Sequence, residues 1–210
     1  MVRYFGPEEV KRAVVQNRPE VVIQTGNVNA YLMGSGIPVK KSLLRKITME
    51  MANRADLPKV LDAGALYLTG ASKSPTIITP HAGELADLLN VSSTSIENDP
   101  IYYAIDAARR FKVTVLLKGN KTVVANENRV IQLPAATSWL ATAGTGDVLA
   151  GILGALLALN HEKVSKDNLI ELGATASYIH AQSAAHSSRG PIDAGKLIDH
   201  ISKEVARLSK

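Results

Sequence analysis

A glycine-rich turn that leads straight into an apolar helix is the part of this sequence best suited to chemistry. The residues from Ala143 to Gly146 are all small, Asp147 follows them, and apolar residues then recur at spacings of three and four as far as Leu157. The first N–H groups of a helix have no partner within the helix and carry partial positive charge, so such a turn can hold a phosphate while Asp147 serves as a base. A tight turn with an acidic residue in the first helical turn explains the same residues, and this stretch alone does not choose between the two.

Four further polar segments follow stretches that we predict to be strands. They are residues 34–38 after strand 30–33, Asp62 as the last residue of strand 60–62, His81 and Glu84 after strand 76–78, and residues 118–122 after strand 113–117. Ligands of open α/β sheets bind at the carboxyl ends of the strands, so we expect these segments at one edge of the sheet. Lys118 and Thr122 suit nucleotide phosphates or ribose. Plain connections between elements remain the alternative, and a lone loop histidine usually has no function.

The elements that must position these residues alternate between strand and helix. This alternation predicts an α/β fold with a largely parallel sheet, and residues 123–125 and 129–133 predict a hairpin after the central strand. Residues 2–5 and 21–24 are predicted as two further strands, at the start of the chain. The predicted helices cover residues 6–17, 39–53, 83–89, 101–111 and 147–159, then a helix capped by residues 165–167 that reaches about residue 186, and finally residues 193–208; residues 63–68 form one or two helical turns.

Composition limits the class of protein. The chain has 210 residues, of which 46% are hydrophobic, which suits one globular domain. It has no cysteine, so disulfides and thiolate chemistry are excluded, and no stretch resembles a signal peptide or a membrane span. The net charge is +5, but aromatic residues are only 4% and basic residues are scattered, which argues against a nucleic-acid partner. The sequence therefore predicts a soluble cytoplasmic protein without a nucleic-acid or membrane partner.

One basic cluster and four histidines need no catalytic role to explain them. The basic cluster lies in an amphipathic helical pattern and is explained either as a solvated helix face or as a modest positive field that attracts phosphorylated small molecules. Four histidines show no metal-ligand spacing with one another, so we expect them at the surface or at helix ends. The cluster is Lys40, Lys41, Arg45 and Lys46, and the histidines are His161, His180, His186 and His200.

Taken in order, the segments LMGSGIP, VLDAGAL, PTIITPHAGELADLL, LLKGNKTVVA and LATAGTGDVLAGILGALL resemble one family. This family is the ADP/ATP-dependent NAD(P)H-hydrate dehydratases of the ribokinase-like superfamily, and the resemblance runs from about residue 1 to residue 208. It implies a three-layer αβα sandwich with a mostly parallel sheet plus a β-hairpin. It also implies that residues 1–210 form a single domain.

The resemblance implies repair of NADH or NADPH that has taken up water on the nicotinamide ring (NADHX or NADPHX). ADP or ATP is the co-substrate: the ring hydroxyl is phosphorylated, and phosphate is then eliminated to re-form the double bond. By this resemblance Asp147 takes the hydroxyl proton. The backbone N–H groups of Ala143, Gly144, Thr145 and Gly146 hold the transferring phosphoryl group.

The same resemblance assigns the binding positions. The adenine nucleotide contacts Lys118, Gly119, Asn120, Lys121, Thr122 and Gly146. The hydrated dinucleotide contacts Gly34, Gly36, His81 and Asp147, with Asp62 beside them. Glu84 is the candidate for holding Mg²⁺ through water.

This chain departs from the family pattern at several positions. Ala82 stands where proline is usual, Gly64 where a second aspartate is frequent, and Pro38 where a turn glycine is usual. Family domains also carry further residues before the point that matches Val2, so we expect an N-terminally shortened domain. A sheet without its edge layer exposes apolar surface that a homo-oligomer can cover.

Two alternatives remain open. A ribokinase-like kinase for a small molecule shares the glycine–aspartate stretch, although the segment TPHAGE favours the dehydratase. A nucleotide-binding module without turnover is the other alternative, because we expect an N-terminally shortened domain.

Overall fold

The fold is described from a computed structural model that covers residues 1–37, 46, 48–50, 57–71, 74–187 and 190–209. Most of the helix predicted over residues 39–53 lies outside these described residues, as do Pro38 and three members of the basic cluster, Lys40, Lys41 and Arg45. Residues 48–50 are helical, as predicted.

One sheet of six strands organises the molecule, with the strands side by side in chain order. The strands are β1 (Tyr31–Met33), β2 (Lys59–Leu61), β3 (Thr76–Ile78), β4 (Thr114–Leu117), β5 (Val123–Ala125) and β6 (Val130–Gln132). The first four strands are parallel, and β5 and β6 pair antiparallel with their neighbours. The predicted change from a parallel sheet to a hairpin after the central strand is confirmed.

Helices follow most of the strands, and local signals in the sequence explain where they begin. Asp193 accepts a hydrogen bond from the N–H of Lys196 and caps the last helix. Pro100 occupies the first turn of its helix, where a missing N–H costs nothing. The α-helices are α1 (Glu8–Asn17), α2 (Ala82–Leu89), α3 (Ser93–Asn98), α4 (Pro100–Phe111), α5 (Thr145–Leu159), α6 (Leu169–Ser187) and α7 (Ala194–Leu208); Ala63–Leu68 and Ser138–Leu140 are 3₁₀-helices.

The sheet is buried on both faces, which produces three layers. Leu61, Ile78 and Val115 face a core shared with α2, α4 and the first 3₁₀-helix. The neighbouring residues Val60 and Ile77 face a second core shared with α5 and α6. Parallel strands covered on both sides require such continuous apolar runs. The predicted three-layer αβα arrangement is therefore confirmed.

The prediction of two strands near the start of the chain is wrong. Residues 2–5 and 21–24 meet in a single parallel bridge between Arg3 and Val22, outside the six-stranded sheet. The N–H of Tyr4 donates to the Val22 carbonyl over 2.9 Å. The Arg3 guanidinium donates to the carbonyls of Gln24 and Asn27, so a side chain occupies acceptors that a longer ladder needs.

The start of one helix and the presence of another also differ from the prediction. Helix α6 begins at Leu169 rather than just after residues 165–167. The Asn168 side chain accepts from the N–H of Ser165 and donates to the Lys163 carbonyl, which holds the preceding segment as a turn. The short helix α3 was not predicted; the Ser92 hydroxyl caps it by accepting from the N–H of Ser95.

Helix α5 is the apolar helix that follows the glycine-rich turn. It buries Leu149, Ile152 and Leu153 against the sheet and leaves Leu159 exposed at its end. Of the helices that can be described, none combines the length and the apolar character needed to cross a bilayer.

Candidate active site

The carboxyl ends of four parallel strands bring the predicted polar segments together. The N–H of Asp62 donates to the Met33 carbonyl over 2.9 Å, which joins the ends of β1 and β2. The N–H of Lys118 donates to the Pro80 carbonyl over 2.8 Å, which joins the ends of β3 and β4. Residues that lie far apart in the sequence therefore share one edge of the sheet, as the parallel arrangement requires.

Lys118 is the centre of this cluster. Its Nζ lies 2.9 Å from Asp62 Oδ1 and 3.7 Å from Glu84 Oε2. The Thr79 hydroxyl donates to the same Asp62 oxygen over 2.8 Å, and the Asp62 carboxylate is almost fully buried. A buried carboxylate is stable only when cations or donors satisfy it, so Asp62 holds Lys118 at the strand end.

His81 and Glu84 form a capping box at the start of α2. The N–H of Glu84 donates to His81 Nδ1 over 3.2 Å, and the N–H of His81 donates to Glu84 Oε2 over 2.8 Å. This reciprocal pair satisfies two N–H groups at the helix start. Because Nδ1 accepts a hydrogen bond, Nε2 is the donor of the ring. Nε2 lies 3.6 Å from Glu84 Oε2, and the His81 side chain is more than half exposed at the sheet edge.

The glycine-rich turn has the geometry of an anion site. Gly144 has a φ of 87° and caps α5, a conformation that glycine adopts without strain. Within the described part of the chain, no acceptor faces the N–H groups of Gly146 and Asp147, as expected for the first turn of a helix. The Asp147 side chain is exposed beside them. The turn therefore offers partial positive charge next to a carboxylate.

The glycine-rich turn lies beside the cluster that Asp62, Thr79, Glu84 and Lys118 form at the strand ends. A methyl group placed on Gly146 would lie 3.8 Å from Lys118 Nζ. An ammonium group thus stands beside unpartnered N–H groups at a helix start, an arrangement that attracts phosphate oxygens. The structure accordingly brings Asp62, His81, Glu84 and Lys118 together with Gly146.

The remaining predicted nucleotide positions lie in the turn between β4 and β5. Gly119, Asn120 and Lys121 are exposed there. Two backbone hydrogen bonds fix this turn, because Ala136 donates to the Asn120 carbonyl and Leu133 donates to the Thr122 carbonyl. These residues continue directly from Lys118 and so extend the same edge.

The turn after β1 approaches the site through glycine. Gly34 has a φ of 146°, and a methyl group on it would overlap the carbonyl oxygen of Asp62. Gly36 has a φ of 72°, but nothing lies within 4 Å of the place where its methyl group would be. Gly34 thus permits close contact between two strand ends, whereas Gly36 serves only the turn.

The two glycines make a matched pair for a stability test. We expect Gly36→Ala to lower the free energy of unfolding by about 1 kcal/mol, the cost of a left-handed non-glycine residue. Gly34→Ala adds the displacement of the Asp62 backbone, so we expect at least twice that loss. Urea unfolding of both variants measures the difference, and equal losses would contradict the close contact at Gly34.

Gly64 permits a second close contact beside the site. A methyl group on Gly64 would overlap the Ile37 carbonyl oxygen. The turn after β1 therefore occupies the space that a side chain at position 64 needs. Glycine at position 64, where the family often has aspartate, is therefore the residue that this close contact requires.

His180 is buried, so its prediction as a surface residue is wrong. It retains only 8% of its exposure, and its Nε2 lies 2.9 Å from the Thr145 carbonyl oxygen in the first turn of α5. Burial lowers the pKa of His180, and the hydrogen bond to Thr145 partly opposes this shift. A signal was present in the sequence, because His180 falls four residues after Ala176 on the apolar stripe of its helix.

This lowered pKa predicts a specific acid sensitivity. In the unfolded chain His180 takes up a proton as the pH falls through 6.5, while in the folded protein it stays neutral to lower pH. The unfolded state then binds more protons, so the free energy of unfolding decreases below pH 6.5 by at most about 1.4 kcal/mol per pH unit. Urea unfolding between pH 7.5 and 5 should show this loss in the wild type and a smaller loss in His180→Gln; equal slopes would contradict it.

The carboxylate groups at this edge suit a magnesium ion that is held mainly by the phosphates of a nucleotide. Within the ranges that the structure describes, no three His, Asp or Glu side chains group as a metal site. Asp62 Oδ1 is engaged by Thr79 and Lys118, and Glu84 Oε2 accepts from the His81 N–H and faces Lys118, so Glu84 would offer its other oxygen, Oε1. Mg²⁺ usually keeps several waters and needs one or two carboxylates besides phosphate, so Glu84 is a suitable partner.

A partly open pocket of about 260 Å³ lies elsewhere in the molecule. Thr76 and Thr114, the first residues of β3 and β4, are in its lining, so it is at the opposite edge of the sheet. None of the predicted site residues lines it. The candidate site is therefore the open carboxyl edge of the sheet.

The sequence prediction missed Thr79 as a member of the cluster. Its hydroxyl donates to the buried Asp62 carboxylate. Thr79 opens the segment TPHAGE that favours the dehydratase, so the sequence held a signal, but a β-branched residue at a strand end does not show which side chain it will contact.

Comparison with known proteins yields concordant matches. A family model described as NAD(P)H-hydrate dehydratase matches residues 6–207. The chain is 34% identical over 227 aligned residues to the bifunctional NAD(P)H-hydrate repair enzyme Nnr of Mycobacterium leprae, and the alignment covers 99% of this chain and 45% of that protein. The chain thus spans less than half the length of this curated relative.

Solved structures share the fold. An ADP/ATP-dependent NAD(P)H-hydrate dehydratase from Bacillus subtilis, co-crystallised with ATP and Mg²⁺ and soaked with CoA, is 26% identical with a TM-score of 0.79; the match covers 95% of this chain and 78% of that one. A ribokinase-like superfamily protein from Enterococcus faecalis is 19% identical with a TM-score of 0.67, covering 85% of this chain and 63% of that one. The second similarity concerns the fold alone.

Proposed function

The chain belongs to the NAD(P)H-hydrate dehydratase family, and we propose that it restores hydrated NADH or NADPH to NADH or NADPH with ADP or ATP as phosphoryl donor. The observation that carries the proposal is the proximity of Lys118 to the glycine-rich turn: a methyl group on Gly146 would lie 3.8 Å from Lys118 Nζ, and Gly146 immediately precedes Asp147. A phosphoryl group at this place meets an ammonium group and free N–H groups, while the neighbouring carboxylate faces an incoming alcohol.

The adenine nucleotide lies, in this proposal, along the turn that starts at Lys118. Its phosphates contact Lys118 and Thr122 and extend toward Gly146. The exposed residues Gly119 to Lys121 leave space for the nucleoside part. This direction of binding places the terminal phosphoryl group at the start of α5, where phosphoryl transfer depends on position and on donors to the equatorial oxygens.

Asp147 acts as the general base in this proposal. The ring hydroxyl oxygen attacks the terminal phosphorus, its proton passes to the Asp147 carboxylate, and the bond from that phosphorus to the nucleotide breaks. The N–H groups of Ala143, Gly144 and Gly146 hold the group in transfer, whereas the Thr145 N–H donates to the Thr142 carbonyl over 3.4 Å. The carbon–oxygen bond then breaks, inorganic phosphate leaves with the bonding electrons, and the adjacent ring carbon releases a proton as the double bond re-forms.

The hydrated dinucleotide occupies the side of the cluster formed by the turn after β1. The turn that contains Gly34 and Gly36 forms one wall of this space, and the exposed ring of His81 is available to the dinucleotide. Asp62 is buried and acts on this side through Lys118 rather than by direct contact. Mg²⁺, when bound with the nucleotide, supplies charge neutralisation at the phosphates, and Glu84 would hold it through water.

The test is the return of the near-ultraviolet absorbance of the dihydronicotinamide ring when the chain is mixed with hydrated NADH and ADP or ATP. Recovery together with release of inorganic phosphate supports the proposal. Phosphorylation of a hydroxymethyl substrate without recovery would show a kinase instead. Calorimetric binding of ADP with no turnover of any kind would show a nucleotide-binding module.

We also propose that the protein acts in the cytoplasm as a homo-oligomer. Strand β1 is at the edge of the sheet, and Leu32 in it is nearly half exposed. A second copy is a suitable cover for this edge. Light scattering coupled to size exclusion, compared between wild type and Leu32→Glu, tests the oligomer.

A further inference from the structure

A buried histidine stands directly behind the glycine-rich turn. His180 lies in α6, and its Nε2 is 2.9 Å from the carbonyl oxygen of Thr145. A carbonyl oxygen only accepts hydrogen bonds, so Nε2 carries a proton and donates. Gly173 in the same helix allows close packing on the sheet, because a methyl group there would lie 2.9 Å from Ile77 and Val124 side-chain carbons. The histidine is therefore held on a well-supported element.

The residue that His180 contacts is itself tied to the turn. The Thr145 hydroxyl is 2.7 Å from the Leu140 carbonyl oxygen and 2.8 Å from the Thr142 carbonyl oxygen. Thr145 is also buried. It therefore connects α6 on one side with the chain that enters the glycine-rich turn on the other.

The peptide group between Thr145 and Gly146 gives this contact its significance. In a planar trans peptide the C=O and the N–H point in opposite directions. His180 fixes the carbonyl end of this peptide, and the other end is the unpartnered N–H of Gly146, next to Lys118. A hydrogen bond accepted by the carbonyl also polarises the peptide and strengthens the N–H as a donor.

We propose that His180 is a positioning residue for phosphoryl transfer, which orients and polarises the Thr145–Gly146 peptide so that the Gly146 N–H meets the transferring group. The inference rests on the proposed function, because it assumes a phosphoryl group at this turn. His180 does not touch the substrate. Its effect is exerted through one peptide group, so a substitution should change the rate of transfer more than the binding of the nucleotide.

Two substitutions separate the donor from the volume of the side chain. His180→Leu keeps an apolar bulk but removes the donor, whereas His180→Gln keeps an amide N–H that can reach the Thr145 carbonyl. We expect His180→Leu to lower kcat by about 10- to 100-fold, the effect of a misplaced or lost transition-state donor. The KM for ADP or ATP should stay within a few-fold, and His180→Gln should recover most of kcat.

Kinetics are measured below the melting temperature of every variant, so that lost folding is not read as lost catalysis. Equal losses of kcat in the leucine and glutamine variants would overturn the inference, and so would an unchanged kcat in His180→Leu. If His180→Leu does not fold, His180→Asn, whose amide is too short to reach Thr145, takes its place.

A readout without turnover separates this inference from the proposed function. The amide resonance of Gly146 is followed by NMR during titration with inorganic phosphate. We expect a shift in the wild type and in His180→Gln, and a much smaller one in His180→Leu. A wild type that shows this pattern but no dehydration would refute the proposed function alone, whereas identical shifts in all three proteins would refute the role of His180.

Discussion

Asp147→Asn is expected to abolish turnover while ADP and ATP still bind within a few-fold of their wild-type affinity. The carboxylate is exposed in the first turn of α5, one residue after the glycine that adjoins Lys118. Its proposed task is to take the hydroxyl proton, and asparagine has nearly the same shape without the basic oxygen. Loss of a general base lowers kcat by about 10²- to 10⁴-fold. Steady-state kinetics and calorimetry on the same preparation measure the two effects.

The control for this variant is Asp199→Asn, which removes an exposed carboxylate from α7 with the same chemical change. It should leave kcat unaltered. A loss of nucleotide affinity in Asp147→Asn as large as the loss of kcat would contradict the assigned role, because it would place the carboxylate in nucleotide binding. An unchanged kcat would remove Asp147 from the mechanism altogether.

The sequence predicted the parts of the fold that repeat a simple physical pattern. Strands such as Thr76–Ile78 are short apolar runs that both faces of a parallel sheet require, and their polar ends must then meet at one edge. That reasoning brought Asp62, His81 and Lys118 together without coordinates, and the structure confirms that they adjoin one another. The glycine-rich turn was also visible in the sequence, but only its combination with the other segments favoured a phosphate site over an ordinary tight turn.

Contacts between side chains and distant backbone could not be predicted in this way. The burial of His180 depends on how closely α6 packs against the start of α5, and the Thr79 hydroxyl matters only because Asp62 is buried beside it. The prediction of strands near the start of the chain was wrong for a related reason. Arg3 satisfies carbonyl groups of residues 24 and 27, a long-range choice that the strand-like pattern of residues 2–5 does not contain.

Lys118 combines a structural and a functional task, and a pair of substitutions can separate them. Lys118→Met removes the cation that lies 2.9 Å from the buried Asp62 carboxylate, leaving Thr79 as the only donor to that oxygen among the described residues. Removing one partner of a buried ion pair costs about 3 kcal/mol or more, because the remaining charge is uncompensated. We therefore expect Lys118→Met to be strongly destabilised in urea unfolding and to lose nucleotide affinity.

The double variant Lys118→Met/Asp62→Asn removes both charges and keeps an acceptor for the Thr79 hydroxyl. Its free energy of unfolding should return to within about 1 kcal/mol of the wild type, since a neutral pair needs no compensation in the interior. Nucleotide affinity should nevertheless remain reduced by at least about tenfold, or ~1.4 kcal/mol, because the phosphates still lack the ammonium group. If the double variant recovered nucleotide affinity together with its free energy of unfolding, Lys118 would only support the fold. The proximity of Lys118 to the glycine-rich turn would then no longer indicate a phosphate site.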